Sequence, residues 1–453
     1  MWMALRRWVA QRTPAQVIAG YYLMAVIVSI LLLSIPLAHR PGVDVPFFDT
    51  VFMAVSIVSD TGLSVLNVAD TYSIFGYFMI MLILQFGGIG IMAMSAFFWL
   101  LMGRKIGLRE RRLIMVDNNQ FAIAGLVSLV KDILKFVLLT ELAGAVIFGF
   151  RFLKYYPTWK EAFLQGLFAS VSATTNAGMD ITGQSLAPYA GDYFVQAFTI
   201  LLIIFGAIGF PVLIEFKMFL TRRKGAGVPF RFSLFAKIAT STYFILLAIG
   251  TLLIWLLEHR HFFNGMSWHS SFFYALFQST TTRSAGLTTM DINDFTMPTL
   301  LLMSVYMFIG GSPNSVGGGI RTTTLALNIL FVYQFAKGSR RIKAFRREIH
   351  QDDILKSLAI TILAFLICCV SVITISITDY RQPLLSILFE VCSAFGTVGM
   401  STGITPDLSV VAKCILMVLM FLGRIGLTSV LYLIGGGRKE PKYQYPVERV
   451  MTG

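Results

Sequence analysis

The sequence predicts an all-α polytopic membrane protein. It would be built from four covalently linked helix–pore-helix–filter–helix repeats around one pseudo-fourfold pore, with eight long transmembrane helices. Three observations predict it. Of 453 residues, 56% are hydrophobic and only 13% charged, where a soluble chain carries about a quarter charged residues. Apolar runs of the length that crosses a bilayer, about 20 residues, recur at 17–37, 78–101, 136–150, 197–220, 234–257, 355–377 and 410–434. A short motif also returns four times along the chain, and its periodicity sets the number of repeats.

Aligned on a glycine, the four copies are Ser56 to Leu63, Ser172 to Met179, Thr280 to Leu287 and Ser393 to Met400. Each has a hydroxyl residue six before the glycine and Leu or Met just after it. The glycines Gly62, Gly178, Gly286 and Gly399 lie 116, 108 and 113 residues apart. A second mark follows each: Gly87-Gly88-Ile89-Gly90, Gly206-Ala207-Ile208-Gly209, Gly310-Gly311-Ser312-Pro313 and Gly423-Arg424-Ile425-Gly426, starting 25, 28, 24 and 24 residues after the glycine. The repeats so defined are 1–103, 104–224, 225–350 and 351–453. The first apolar run is longer than the core of a signal peptide and lacks a small-residue cleavage site, so it reads as a retained helix.

Before each glycine stands a half-polar segment too short to span: 48–59, 159–173, 268–281 and 383–394. Each fits a re-entrant helix that returns as extended backbone. Irregular backbone at membrane depth is tolerated only when buried in protein or lining a watery cavity. Thr397-Val398-Gly399 is the core sequence of potassium-selective filters, where rows of carbonyls replace the hydration shell of the ion. The filter candidates are therefore Asp60, Thr61 and Gly62; Asn176, Ala177 and Gly178; Ser284, Ala285 and Gly286; and Thr397, Val398 and Gly399. Potassium would be held at the four glycines.

Basic clusters join the units: Arg104, Lys105, Arg109, Arg111 and Arg112; Arg222, Arg223, Lys224, Arg231 and Lys237; and Lys337, Arg340, Arg341, Lys343, Arg346 and Arg347. With Arg6, Arg7 and Arg12 at one end and Arg438, Lys439 and Lys442 at the other, they put both termini and all linkers in the cytoplasm. The net charge of +14 is thus a topology signal and a contact with the lipid bilayer, not a nucleic-acid surface; docking of a cytosolic partner is compatible with it. Asp70, Asp180, Asp192, Asp291, Asp294 and Asp407 follow the filters, as an acidic outer vestibule or as ordinary solvated loops. The four cysteines fall in apolar sequence and read as free, buried thiols. No cluster of His, Cys or paired carboxylates suggests an enzyme.

Below the filter, 310–319 packs five glycines and a proline into ten residues, and no helix continues through that. Apolar sequence on both sides puts the break inside the membrane. Gly310, Gly311, Ser312, Pro313, Asn314, Ser315, Gly317, Gly318 and Gly319 form either a gate or a passive break that lets neighbours pack. Arg424, deep in the last helix, defaults to a functional role. It is a positive barrier under the filter, a tether for the carbonyls of the loop, or both. Asp60, Arg283 and Glu390 read as a paired network bracing the filter, since unpaired buried charges are costly. Direct ion coordination by Asp60 is the alternative. Glu141 and Glu215 fall in helices without an assignable partner.

Four linked helix–pore–helix units, one filter glycine in each and an arginine in the last helix resemble the Trk/Ktr/HKT superfamily of cation transporters. The chain begins directly with unit one, which is similar to the shorter Ktr branch. The resemblance implies a potassium-translocating subunit in a bacterial plasma membrane, with Gly62 favouring potassium over sodium. It implies a homodimer with one pore per subunit, and a cytosolic ring of nucleotide-binding regulatory subunits that controls the gate. No segment here reads as such a domain, so that partner would be a separate chain. No covalent cofactor is implied; potassium is the substrate, with sodium possible. A coupled sodium/potassium symporter is the competing function.

Overall fold

The computed structural model describes residues 14–90, 126–221, 230–339, 341–434, 446 and 448. The cluster at Arg104 to Arg112, the residues Arg222, Arg223, Lys224 and Arg340, and the basic residues at both ends lie outside them.

Unit one comprises α1 (Pro14–Leu33), α2 (Phe47–Val58) and α3 (Ile74–Gly88). Unit two has α4 (Leu126–Phe152), α5 (Trp159–Thr174), α6 (Tyr193–Ala207) and α7 (Phe210–Thr221). Unit three has α8 (Leu234–Glu258), α9 (Trp268–Thr281), α10 (Met297–Phe308) and α11 (Thr322–Ala336). Unit four has α12 (Gln351–Thr378), α13 (Leu384–Gly396), α14 (Val410–Ile425) and α15 (Leu427–Ile434). A two-residue β-hairpin, Lys343–Ala344 against Arg347–Glu348, joins units three and four.

The first helix of each unit, α1, α4, α8 and α12, is long and apolar enough to cross a bilayer by itself. All four carry exposed rows such as Leu23, Ile27 and Leu31, or Ile362, Phe365 and Ile373. An apolar surface of that kind suits lipid rather than water. The short helices α2, α5, α9 and α13 form the centre, and their C-terminal halves are buried almost completely.

Each short helix packs on the long helix of its own unit and on the second helix of the preceding one: α3 on α5, α6 on α9, α10 on α13, and α14 on α2. The last of these contacts joins unit four back to unit one, so the four units close a ring.

The expectation of eight long helices is not what the structure holds. Four long helices alternate with four second helices that stop or break at the second sequence mark. The helix α3 ends at Gly88, with Gly90 at φ +93°. A 104° bend at Gly209 (φ +98°) separates α6 from α7. The loop after Phe308 separates α10 from α11, and Gly426 (φ +83°) separates α14 from α15. Sequence reasoning had placed such a break only in unit three.

One device recurs where the first helix of a unit ends and the second begins. In unit one the Ser73 hydroxyl donates to Leu37 O (2.7 Å) and its N–H to Ala38 O (2.8 Å). In unit two Arg151 Nε reaches Asp192 Oδ2 at 2.7 Å. In unit three Glu258 Oε1 accepts from the N–H and hydroxyl of Thr296 (2.9 and 2.7 Å). In unit four Asp379 accepts from the N–H and hydroxyl of Ser409 (both 2.7 Å). Each clasp fixes the N-cap of the second helix. Asp192 therefore serves a structural clasp, and Asp180 and Asp291 cap turns of their own loops. Of the cysteines, Cys368 and Cys392 are buried as expected, whereas Cys369 is half-buried and Cys414 exposed.

Candidate functional site

The four repeat glycines meet. A methyl group added at Gly62 would strike Ala177 O; at Gly178 it would lie 2.7 Å from Ala285 O; at Gly286 it would strike Val398 O; at Gly399 it would strike Thr61 O. The contacts run from unit one to two, two to three, three to four and four to one. The ring admits no side chain at those positions, and it is built of backbone.

The backbone is bent the same way in every copy. Asp60, Asn176, Ser284 and Thr397 have φ of +48°, +52°, +89° and +48°, and the glycines two residues later +85°, +67°, +70° and +90°. Glycine takes this region freely, whereas the four other residues pay for it. Hydrogen bonds back onto the short helix hold the bend. The N–H groups of Thr61, Ala177 and Val398 donate to Ser56, Ser172 and Ser393 O, all at 2.9 Å. The hydroxyls of the motif bond in the same region: Ser172 Oγ to Met179 O (2.5 Å), and Gly399 N–H to Ser393 Oγ (3.1 Å). In unit three the hydroxyl is Thr281 rather than Thr280, reaching Leu287 O at 2.6 Å. Thr61, Ala177, Ala285 and Val398 are fully buried, while Gly62, Gly178 and Gly399 keep partial exposure. The ring therefore opens at its glycines.

The side chain two before each glycine turns away from the ring, onto the break in the second helix of its own unit. A methyl group at Gly87 would lie 2.5 Å from Asp60 Oδ1, at Gly206 2.9 Å from Asn176 Oδ1, at Gly317 2.7 Å from Ser284 Oγ, and at Gly423 3.3 Å from Thr397 Cγ2. The glycines of the second sequence mark make room for these side chains.

The loop 310–319 lies against that layer. Ser312 and Val316 N–H donate to Ala207 and Gly206 O (2.9 and 3.1 Å), and Phe210 N–H donates to Asn314 O (2.9 Å). Gly318 N–H donates to Ser284 Oγ at 3.1 Å, and a methyl group at Gly318 would lie 2.5 Å from Thr397 Oγ1. Pro313 and Ser315 sit on the half-exposed side of the loop; Gly310, Gly311 and Ser312 are buried, and Gly319 turns the chain back at φ +71°.

Three arginines grip its carbonyls. Arg283 Nη2 reaches Gly310 O (3.4 Å), Arg321 donates to Gly317 O, and Arg424 donates to Val316 O. Arg424 also donates to Gly87 O and pairs with Asp60 Oδ2 at 3.0 Å.

The expected network of Asp60, Arg283 and Glu390 does not form. Asp60 pairs with Arg424 instead. Arg283, fully buried, stacks over Tyr243 (4.2 Å) and donates to Tyr243 O (3.0 Å). Glu390 accepts from Ser401 Oγ (2.5 Å), Thr402 N–H (3.1 Å) and Thr405 Oγ1 (2.8 Å). Polar donors satisfy each charge locally, so they need not find one another. Glu141 and Glu215 gain partners: Gln85 Nε2 at 2.6 Å and Ser233 N–H at 2.9 Å. Arg321 escaped the sequence reading, although a cation straight after a glycine-rich break between apolar flanks is a readable signal. No group of His, Cys, Asp or Glu able to hold a metal ion exists among the described residues.

The family model described as TrkH, cation transport protein, matches residues 8–435. The chain is 53% identical to Ktr system potassium uptake protein D of Bacillus subtilis, with 97% of each chain covered. It is 33% identical to Ktr system potassium uptake protein B of the same organism (99% and 98% covered). It is 32% identical to the potassium/sodium uptake protein NtpJ of Enterococcus hirae (97% of each). In fold it is similar to the crystal structure of the potassium transporter TrkH from Vibrio parahaemolyticus, with TM-score 0.70 at 20% identity, over 91% of this chain and 84% of that one. The apolar helices are accordingly those of a multi-pass membrane protein, and the chain belongs to the TrkH family of cation transport proteins, within the Trk/Ktr/HKT superfamily.

Proposed function

We propose that the chain is the potassium-translocating subunit of a gated uptake system, passing the ion down its electrochemical gradient through the middle of the glycine ring. The single observation that carries this is the ring itself: four backbone segments from four units, bent alike, meeting one another cyclically. A cation shedding its water there meets carbonyl oxygens and no charged side chain, which is the chemistry of a potassium filter. Asp60 braces the ring through Arg424 and leaves coordination to the backbone. The units are 1–103, 104–224, 225–350 and 351–453, each with its filter segment re-entering from the same side. The four clasps, one per unit at corresponding helix ends, favour that common orientation, with linkers and termini in the cytoplasm.

The loop 310–319 is the gate. It lies one layer from the filter, touching Ser284 and Thr397, and Arg424 ties it to unit one. The arginine acts as tether, and its charge is offset by Asp60. Homodimerisation and control by a cytosolic nucleotide-binding ring complete the proposal; two relatives are named as parts of a Ktr system. Rubidium and sodium flux in proteoliposomes, with and without the regulatory ring, tests it. Rubidium flux that exceeds sodium flux and rises with the ring is expected; equal flux of both ions refutes the filter.

One relative is named for both potassium and sodium uptake, which favours a second reading, sodium-coupled symport. Rubidium uptake that stops without sodium, at fixed stoichiometry, would select it.

A further inference from the structure

The helices α4 and α7 face each other across a cleft of about 150 Å³. From α4 it is lined at spacings of three and four by Asp132, Lys135, Phe136 and Leu139, and from α7 by Phe210, Leu213, Ile214 and Lys217. Such spacing puts each set on a single helix face. Both faces run from charged to apolar in the same direction. Asp132, Lys135 and Lys217 stand at one end, and Leu139 and Phe210 at the other. Lys217 Nζ lies 2.9 Å from Asp132 Oδ1 across the mouth, so one of the two lysines is matched. Lys135 and the adjacent Lys131 are exposed and leave the rim with a surplus of positive charge.

A groove that is cationic at the end of a spanning helix and apolar below has the profile of an amphiphile lying along it. We propose that this cleft binds an anionic membrane phospholipid, its headgroup on Lys135 and Lys217 and one acyl chain against Phe136, Leu139, Phe210 and Ile214. The proposal rests on the cytoplasmic orientation given above, which sets the rim at the leaflet rich in anionic lipid. It does not rest on the gate. Its consequence reaches the gate, because Phe210 at the apolar end of the cleft donates its N–H to Asn314 O of the loop. A chain wedged there holds the bend after Gly209 in place.

The charge argument names the headgroup. A zwitterionic lipid would fill the groove equally well but gain nothing from the surplus lysines, whereas a lysine near an anionic surface contributes roughly fivefold in affinity. A cytosolic protein could use the rim but not the apolar wall.

The experiment is retention of phosphatidylglycerol or phosphatidylcholine by the purified full chain in detergent, read by native mass spectrometry. Phosphatidylglycerol is expected to be retained in preference. Lys135→Gln with Lys217→Gln should weaken it by about 25-fold, at fivefold per lysine. Asp132→Asn, which frees Lys217, should strengthen it. Ile214→Trp fills the groove at unchanged charge and should abolish retention. Lys160→Gln, an exposed lysine at the far end of the fold, should change nothing. Equal retention of the two lipids, full retention by the lysine double variant, or full retention by Ile214→Trp each overturns the site. So does lysine-dependent capture of a soluble protein without lipid. Lipid retention is read without ion flux, so a failed filter or gate leaves this result untouched.

Discussion

Asp60 Oδ2 and Arg424 Nη2 stand 3.0 Å apart, one in the first unit and the other in the last. Their pairing closes the ring electrostatically where α14 meets α2 closes it by packing. Asp60 is 1% exposed and Arg424 only 11%. Removing one partner of so buried a pair strands the other and costs about 3–5 kcal/mol. Arg424→Gln and Asp60→Asn should each lower the unfolding temperature in nanodiscs clearly. Asp60→Asn with Arg424→Gln should lose less than the two singles together. Additive losses would mean that the pair is not a unit.

The glycine ring makes a prediction of a different kind. A side chain at Gly62 collides with Ala177 O, and one at Gly399 with Thr61 O. Both sites also need positive φ. Gly62→Ser or Gly399→Ser should therefore spread the ring rather than merely decorate it, and erode discrimination of rubidium against sodium. Flux ratios in proteoliposomes are the measurement, and unchanged ratios in both variants would count heavily against the filter.

Much of this arrangement is legible in the sequence because it repeats. Four glycines in register, each preceded by a short half-polar segment, gave the ring and its central helices. The second mark was visible too, but its meaning was not. Gly87, Gly206, Gly317 and Gly423 are small because Asp60, Asn176, Ser284 and Thr397 lean on them, a relation between residues 24 or more apart that no local pattern encodes. The pairing of Asp60 with Arg424 spans almost the whole chain and was invisible for the same reason. The charges of Arg283 and Glu390 could be read as buried, but their partners are a carbonyl, hydroxyls and an N–H, which carry no charge to match.

The clasp at Asp379 sets a pH dependence. Burial raises its carboxyl, but the hydroxyls of Thr378 and Ser409 and the Ser409 N–H outweigh that and leave it below the ordinary aspartate value. Its folded form therefore holds the ionised state more tightly than the unfolded chain does. That contribution is complete above the unfolded value, roughly pH 4, and is lost as pH falls further through the folded one. Asp379→Asn should unfold at lower temperature at pH 7 and show a shallower decline below pH 4 than the unmodified protein. Parallel pH profiles would show that the clasp carries no ionic contribution.

The final prediction concerns the loop. Hydrogen bonds from a charged donor are worth about 1.5–3 kcal/mol, so three arginines on three carbonyls bias the loop strongly toward the position it holds. Arg321→Gln removes the grip on Gly317 O without touching Asp60 or the ring, since Arg321 bonds only within 312–317. If the loop is a gate held shut by those bonds, rubidium flux without the regulatory ring should rise in Arg321→Gln, and rise further when 311–319 is deleted. Selectivity should stay unchanged in the first, because Ser284 and Thr397 keep their places. A well-folded deletion variant with lower or unaltered flux would sink the gate and leave a passive break, whose role is to seat Ser284 and Thr397 beneath their glycines.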